Sequence, residues 1–238
     1  MSISVNRVVT RSDDVARVYV RKRYAILFYL LLLTFVASPL LEALKRRAFV
    51  LELLLSVTLL VAVVPIRTGN IRRVLFFLVV MALVGRFLAP SLGEPFSSGT
   101  HSIWTLVGLL AAASALRSAL RATSIESEHI YAALSAYLLA GLSFGVLYSA
   151  LERVWPGSFF YGGSRVDHLT ESDGIYFSFV TLATLGYGDY VPKTEVARGF
   201  AMLEAVAGQL YLAVMVARLV SLYVSGTGSR KQAGPDGD

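Results

Sequence analysis

Residues 181–190 read Thr-Leu-Ala-Thr-Leu-Gly-Tyr-Gly-Asp-Tyr. Two glycines flank one tyrosine, Gly186-Tyr187-Gly188, with Thr184 and Leu185 before them and Asp189 after. Glycine tolerates backbone angles that most residues avoid. Such angles allow successive main-chain carbonyls to aim at one axis, and the Thr184 hydroxyl adds one more oxygen below them. Stacked oxygens of this kind replace the water shell of a bare cation.

The flanking sequence frames this loop. Residues 173–184 form a short apolar stretch after Glu171, Ser172 and Asp173, of which Ser172 or Asp173 is best placed to cap a helix start. About a dozen residues are too few to cross a bilayer core, which takes about 20. The stretch fits a re-entrant helix that stops at the loop. On either side lie apolar segments of spanning length, near 130–151 and 196–223. Four more lie near 24–43, 48–66, 73–90 and 102–119. The chain is 55% hydrophobic and 16% charged, which excludes an ordinary soluble domain. Arg21-Lys22-Arg23 precedes the first apolar run, but its 18 residues, 24–41, exceed a signal-peptide core. It is read as a retained first span.

Cysteine is absent, so disulfides and thiolate metal sites are excluded. His101, His129 and His168 lie far apart in sequence and are read as surface or interface residues. The net charge of +6 does not imply nucleic acid, because the basic residues sit mostly in short segments between apolar runs. With the N-terminus inside, thirteen Lys and Arg flank the spans on the cytosolic side and six on the outer side. That bias places both termini in the cytosol, although Lys45-Arg46-Arg47 in the first outer loop runs against it. Trp104 and Trp155 fall at outer ends, where an aromatic belt is expected. The loop at 184–189 is then reached from outside, and the short helix ends with its negative dipole end toward the membrane midplane.

From about Ile130 to Tyr223 the chain resembles the pore module of tetrameric potassium channels: outer helix, pore helix, filter, inner helix. Thr184-Leu185-Gly186-Tyr187-Gly188-Asp189 stands where that family has its selectivity filter, with leucine for the commoner valine. Pro192 follows Asp189 by three, as is common in the family. The resemblance implies that Thr184, Leu185, Gly186 and Tyr187 present carbonyls to K⁺. Gly188 would shape the outer mouth, Asp189 would add negative charge there, and Tyr187 would turn away from the ion and brace the filter against the pore helix. The family often has two pore-helix tryptophans, one bonding the filter aspartate. Here the pair is Tyr176-Phe177, and phenylalanine cannot donate that bond, so Asp189 is expected to be held differently. The resemblance places Gly208 at an inner-helix hinge, with close helix packing as the alternative. It also turns Gln209, Leu212, Val216 and Val220 toward a water-filled cavity, with lipid or helix packing as the alternative. Their spacing of three and four puts them on one helical face. Glu204, about eight residues into the last span, is expected to support the filter and make gating pH-sensitive, or else to be a satisfied structural carboxylate.

The first four spans lack the arginine series of a voltage sensor. Ser102 to Leu116 carries no charge, and Arg117 and Arg121 come only at its inner end. Steep voltage dependence needs several charges, each worth about 2.3 kcal/mol per 100 mV. Weak or no intrinsic voltage gating is expected. Glu52 and Arg86, at similar depths in spans two and three, are expected to pair, with snorkelling of Arg86 as the alternative.

Together these readings give an all-α membrane protein with four peripheral transmembrane helices and a two-helix pore module carrying a re-entrant pore helix and filter. The division is a cytosolic segment 1–23, a peripheral membrane domain 24–121, a pore domain 122–224 and a disordered cytosolic tail 225–238. One filter strand is a quarter of a cage, so a homotetramer in membrane lipid is implied. The function expected is passive, selective K⁺ conduction, with no enzyme activity, cofactor or nucleic-acid partner. The alternatives are a non-selective cation channel, a potassium transporter subunit and a non-conducting regulatory subunit. Compact loops without cysteine suggest a prokaryotic plasma membrane.

Overall fold

The computed structural model describes residues 22–36, 94–121 and 127–232, together with residues 54, 57, 58, 61, 77, 80 and 81, which are helical. The proposed Glu52–Arg86 pair lies outside the described residues, as do the end of the first span and most of the second and third.

The first helix, α1, covers 22–36. Tyr24, Leu27, Leu31 and Thr34 recur at helical spacing and are buried, whereas Tyr29, Leu33 and Val36 are exposed. An apolar face turned outward is what a helix against lipid presents. The second helix, α2, is Glu94–Leu120. It begins before the expected span at 102, because no proline or glycine pair interrupts residues 96–102. Its buried seam is small, with Val107, Ala111, Ala112, Ala115 and Ala119. Small seams let membrane helices approach closely. At Gly108 a Cβ would stand 2.2 Å from Ser143 Oγ on the next helix.

The outer helix, α3, is Ser127–Val154, and the last helix, α5, is Glu195–Gln232. Both contain segments long and apolar enough to cross a membrane, Ser127–Val154 and Glu195–Ser221. Between them lies α4, Glu171–Leu182, the short helix read from the sequence as a pore helix. Its cap lies two or three residues earlier than expected. Thr170 is the N-cap; its hydroxyl accepts from the Asp173 amide while the Asp173 side chain accepts from the Thr170 amide. The Thr-x-x-Asp pattern is a reciprocal box, and Ser172 and Asp173 lie inside the helix rather than at its cap.

Three glycines fix how α4 sits on α3. A Cβ at Gly141 would meet the Phe179 ring at 2.4 Å, one at Gly145 the Ile175 Cα at 2.5 Å, and one at Gly174 the Gly145 carbonyl oxygen at 2.4 Å. Phe35 of α1 packs edge-on against Phe179 at 4.5 Å, so the first helix touches the pore helix directly. At the opposite end of α3 the Glu128 carboxylate accepts from the Tyr24 amide.

The expectation of an all-helical chain is corrected by a small antiparallel sheet in order β2-β1-β3. Strand β1 is Phe159–Tyr161, β2 is Ser164–Arg165, and β3 is Tyr190–Pro192. The turn Gly162-Gly163 has φ of 55° and 87°, the two positive values that a tight hairpin turn requires. The strands are only two or three residues long, too short for alternation to show in sequence. The expected disordered tail is also corrected: helix continues through 225–232. Arg230 and Lys231 suit a helix C-terminus.

Candidate functional site

The loop that follows α4 has an unusual backbone. φ is +56° at Thr184, +59° at Gly186 and +76° at Gly188, while Leu185 and Tyr187 between them keep negative values. Alternation of hand along successive residues is how a chain turns consecutive peptide groups to the same side. Two of the three positive positions are glycine, which adopts them freely. Thr184 is not, and a left-handed non-glycine residue costs about 1–3 kcal/mol unless its surroundings hold it. Its amide donates to Thr181 O and the Leu185 amide to Val180 O, so the end of the pore helix pins the start of the loop.

The loop's outer end is tied down three times. Tyr176 Oη donates to Asp189 Oδ2 at 2.8 Å. The Asp189 carbonyl accepts from the Gly162 amide at 3.0 Å. Beyond it, β3 pairs with β1, with Tyr190 opposite Tyr161 and Pro192 opposite Phe159. The expectation that Asp189 is held differently is thereby resolved: the donor is Tyr176, one residue before the phenylalanine that drew attention in the sequence. The bond to Asp189 pushes the Tyr176 hydroxyl up to about 12. Burial, with Asp173 beside it, likewise pushes Tyr190 up to about 12. Tyr190 also hydrogen-bonds Asp173, so the exit of the loop reaches back to the start of the pore helix.

Glu152 at the outer end of α3 was not singled out by sequence. It is buried, and its two carboxylate oxygens accept from the Gly157 and Phe159 amides at 2.6 and 2.9 Å. It shapes the turn that leads into β1. Its only sequence signal is an acidic residue just ahead of Trp155-Pro156-Gly157.

Tyr187 does not brace the filter within its own chain; it is 66% exposed. Leu185 is 56% exposed. A single chain leaves both side chains largely uncovered. Below the loop, Gln209 Nε2 donates to Thr184 Oγ1 at 3.4 Å. Leu212, Val216 and Val220 are exposed on the same run of α5. Gly208 is different: it is buried, and a Cβ there would stand 2.8 Å from the Leu182 carbonyl oxygen. The helix runs unbroken through it. Of the two sequence readings, close packing is the one this contact supports, and Gly208 does not share the exposed face of Gln209. Glu204 is fully buried between α3, α4 and α5, bonded to Tyr148 and Ser178.

A short helix that stops at a loop of alternating hand, set between two helices able to span, defines a membrane pore module. Residues 133–225, less than half of the chain, match the family model described as "Ion channel". The chain is 33% identical over 93 residues to the "Two pore potassium channel c" of Oryza sativa subsp. japonica, covering 39% of this chain and 18% of that protein. It is 32% identical over 95 residues to the "Inward rectifier potassium channel Kirbac3.1" of Paramagnetospirillum magnetotacticum, covering 38% and 28%. It is 36% identical over 70 residues to the mouse "Potassium channel, subfamily K, member 16", covering 26% and 23%. The chain thus spans less than a third of each relative's length. No solved structure matches it at comparable stringency.

Proposed function

We propose that this chain forms a potassium-selective channel that conducts K⁺ passively across a membrane. The observation that carries the reading is the alternating φ sign from Thr184 to Gly188 at the tip of a non-spanning helix. Carbonyls of Thr184, Leu185, Gly186 and Tyr187 would replace the water shell of K⁺, with the Thr184 hydroxyl as the lowest oxygen. Gly188 gives the last left-handed turn, and Asp189 sets negative charge at the mouth. The three relatives named above are all potassium channels by name, which supports the same ion.

Assembly follows from geometry. One chain contributes one strand of carbonyls, and a closed ring of identical chains is the symmetric way to complete a cage. The exposed Leu185 and Tyr187 side chains would be covered by the neighbouring subunit in a homotetramer. Gln209, Leu212, Val216 and Val220 would line the cavity, and the apolar stretch from Leu212 to Val220 is suited to closing it by dewetting. The division into a peripheral domain over 24–121 and a pore domain over 122–224 fits the helices described. The termini are assigned to the cytosol of a plasma membrane, and gating to stimuli other than voltage, since Arg117 and Arg121 are the only charges near the end of α2.

The test is the reversal potential of purified protein in a planar bilayer with K⁺ on one side and Na⁺ on the other. A potential set by K⁺ is expected. Equal passage of Na⁺ would show a non-selective pore, and silence in liposomes would show a subunit that does not conduct alone.

A further inference from the structure

Glu204 sits behind the pore helix, where the three helices of the pore module meet. Its Oε2 accepts from Tyr148 Oη of α3 at 2.6 Å. Its Oε1 lies 2.5 Å from Ser178 Oγ of α4. Ser178 Oγ also lies 2.7 Å from the Gly141 carbonyl oxygen of α3. All three side chains are buried.

Counting protons decides what this arrangement is. Three oxygen–oxygen contacts of hydrogen-bond length need three hydrogens. A hydroxyl has one to give, and a backbone carbonyl has none. Tyr148 and Ser178 supply two. With Glu204 ionised, the Ser178 proton serves either the carboxylate or Gly141, and the other contact sets two lone pairs face to face in a dry interior. Such an unmade bond is costly where water cannot enter. The surroundings argue the same way. Among the described residues the titratable groups facing Glu204 are Tyr148 and Tyr137, both on α3. From α4 it meets only the Ser178 hydroxyl, and among the described residues only Tyr148 and Ser178 bond it. A bare carboxylate inside a membrane, without a cation, is expensive.

We infer that Glu204 is a neutral carboxylic acid that donates through Oε1 to Ser178, leaving Ser178 free to donate to Gly141. The chain of bonds runs from Tyr148 to the carboxyl, from the carboxyl to Ser178, and from Ser178 to the Gly141 carbonyl. It closes on itself between inner, pore and outer helices. Glu204 is a positioning residue: it seats the pore helix two turns from the loop at 184–189. Removing its proton draws the Ser178 hydrogen to the carboxylate and breaks the bond to Gly141. The pore helix then loses its tie to the outer helix.

The inference bears on the proposed pore but is tested independently of conduction. Infrared difference spectra between wild type and E204Q, taken on the purified full chain in detergent, read the protonation state directly. At neutral pH the wild type is expected to show the carbonyl stretch of a protonated acid, which E204Q lacks. That band is expected to vanish as the pH is raised; thermal stability is expected to fall already from mildly acid pH, where an unfolded carboxyl releases its proton and the folded one does not, and to level off once the band is gone. Glutamine copies the neutral acid, with an NH₂ to donate and an oxygen to accept. E204Q is therefore expected to melt no lower than wild type at neutral pH and to lose the pH-dependent decline, whereas E204A weakens the fold by about tenfold in equilibrium. A carboxylate band at neutral pH, or an E204Q variant as damaged as E204A, overturns the inference. Both readouts hold even if the reversal potential refutes potassium conduction, so the two readings fail separately.

Discussion

Replacing Gly208 by alanine separates two roles that the sequence left open. If Gly208 is a hinge, alanine stiffens the inner helix, adding about 0.8–1.0 kcal/mol of helix propensity. The structure adds a larger opposing effect. The new Cβ would stand 2.8 Å from the Leu182 carbonyl oxygen and 2.9 Å from Leu182 Cδ1, where ordinary contact begins near 3.4 Å. Something must move by about half an ångström. Overpacking of this kind costs about 1–3 kcal/mol. The net is a loss of about 0–2 kcal/mol, up to roughly thirtyfold in the folded population. The displaced group is the last residue of the pore helix, two residues before Thr184, so the damage falls at the root of the filter. Gly208→Ala is expected to lower the melting temperature in detergent and the K⁺ over Na⁺ permeability ratio together. Truncating Leu182 to alanine should not rescue it, because the nearest obstacle is main chain. A variant that melts higher than wild type, keeps its permeability ratio and opens less often would show the hinge reading correct and the steric reasoning wrong.

Other outcomes follow from the same contacts. Tyr176→Phe keeps the ring and removes the bond to Asp189, so current through the filter is expected to decay faster during sustained opening, read in single-channel recordings. That bond, and the Tyr190 bond to Asp173, needs a protonated phenol. Their contribution is full below pH 10 and is lost as the pH climbs through about 12, which a bilayer pH series on wild type and Tyr176→Phe would show. Glu152→Gln leaves one oxygen for two amides and turns an NH₂ toward the other; a loss of about 1–3 kcal/mol is expected by thermal melting. Thr170→Ala removes the pore-helix cap and is expected to cost about 1 kcal/mol by the same assay.

What could be read in advance follows a physical division. The unusual loop at 184–189 was legible because Gly186 and Gly188 answer a backbone requirement that few residues meet. The outer and inner helices were legible because their apolar runs are long; the expected 130–151 and 196–223 fall inside Ser127–Val154 and Glu195–Gln232. The sheet was missed because its strands are too short for periodicity, although Gly162-Gly163 after Phe159-Phe160-Tyr161 is a hairpin signal. The Asp189 partner is not evident in sequence because the pair Tyr176-Phe177 does not say which ring faces the loop; the helix turns Tyr176 toward Asp189 and buries Phe177 against Tyr148 and Phe159. Gly208 needed coordinates, since a glycine that bends a helix and one that admits a neighbour look alike in sequence. Glu204 was visible as an intramembrane acid, but its two hydroxyl partners lie 56 and 26 residues away.

The small sheet has a mechanical consequence. In the proposed channel the strand leaving the ion pathway would be stitched to the hairpin at Gly162-Gly163, since Tyr190–Pro192 pairs with Phe159–Tyr161. The rim of such a pore would not dilate without unpicking that seam. A binder that grips the turn at Gly162-Gly163 therefore holds a handle on the exit, and transmits tension to it without ever entering the conduit.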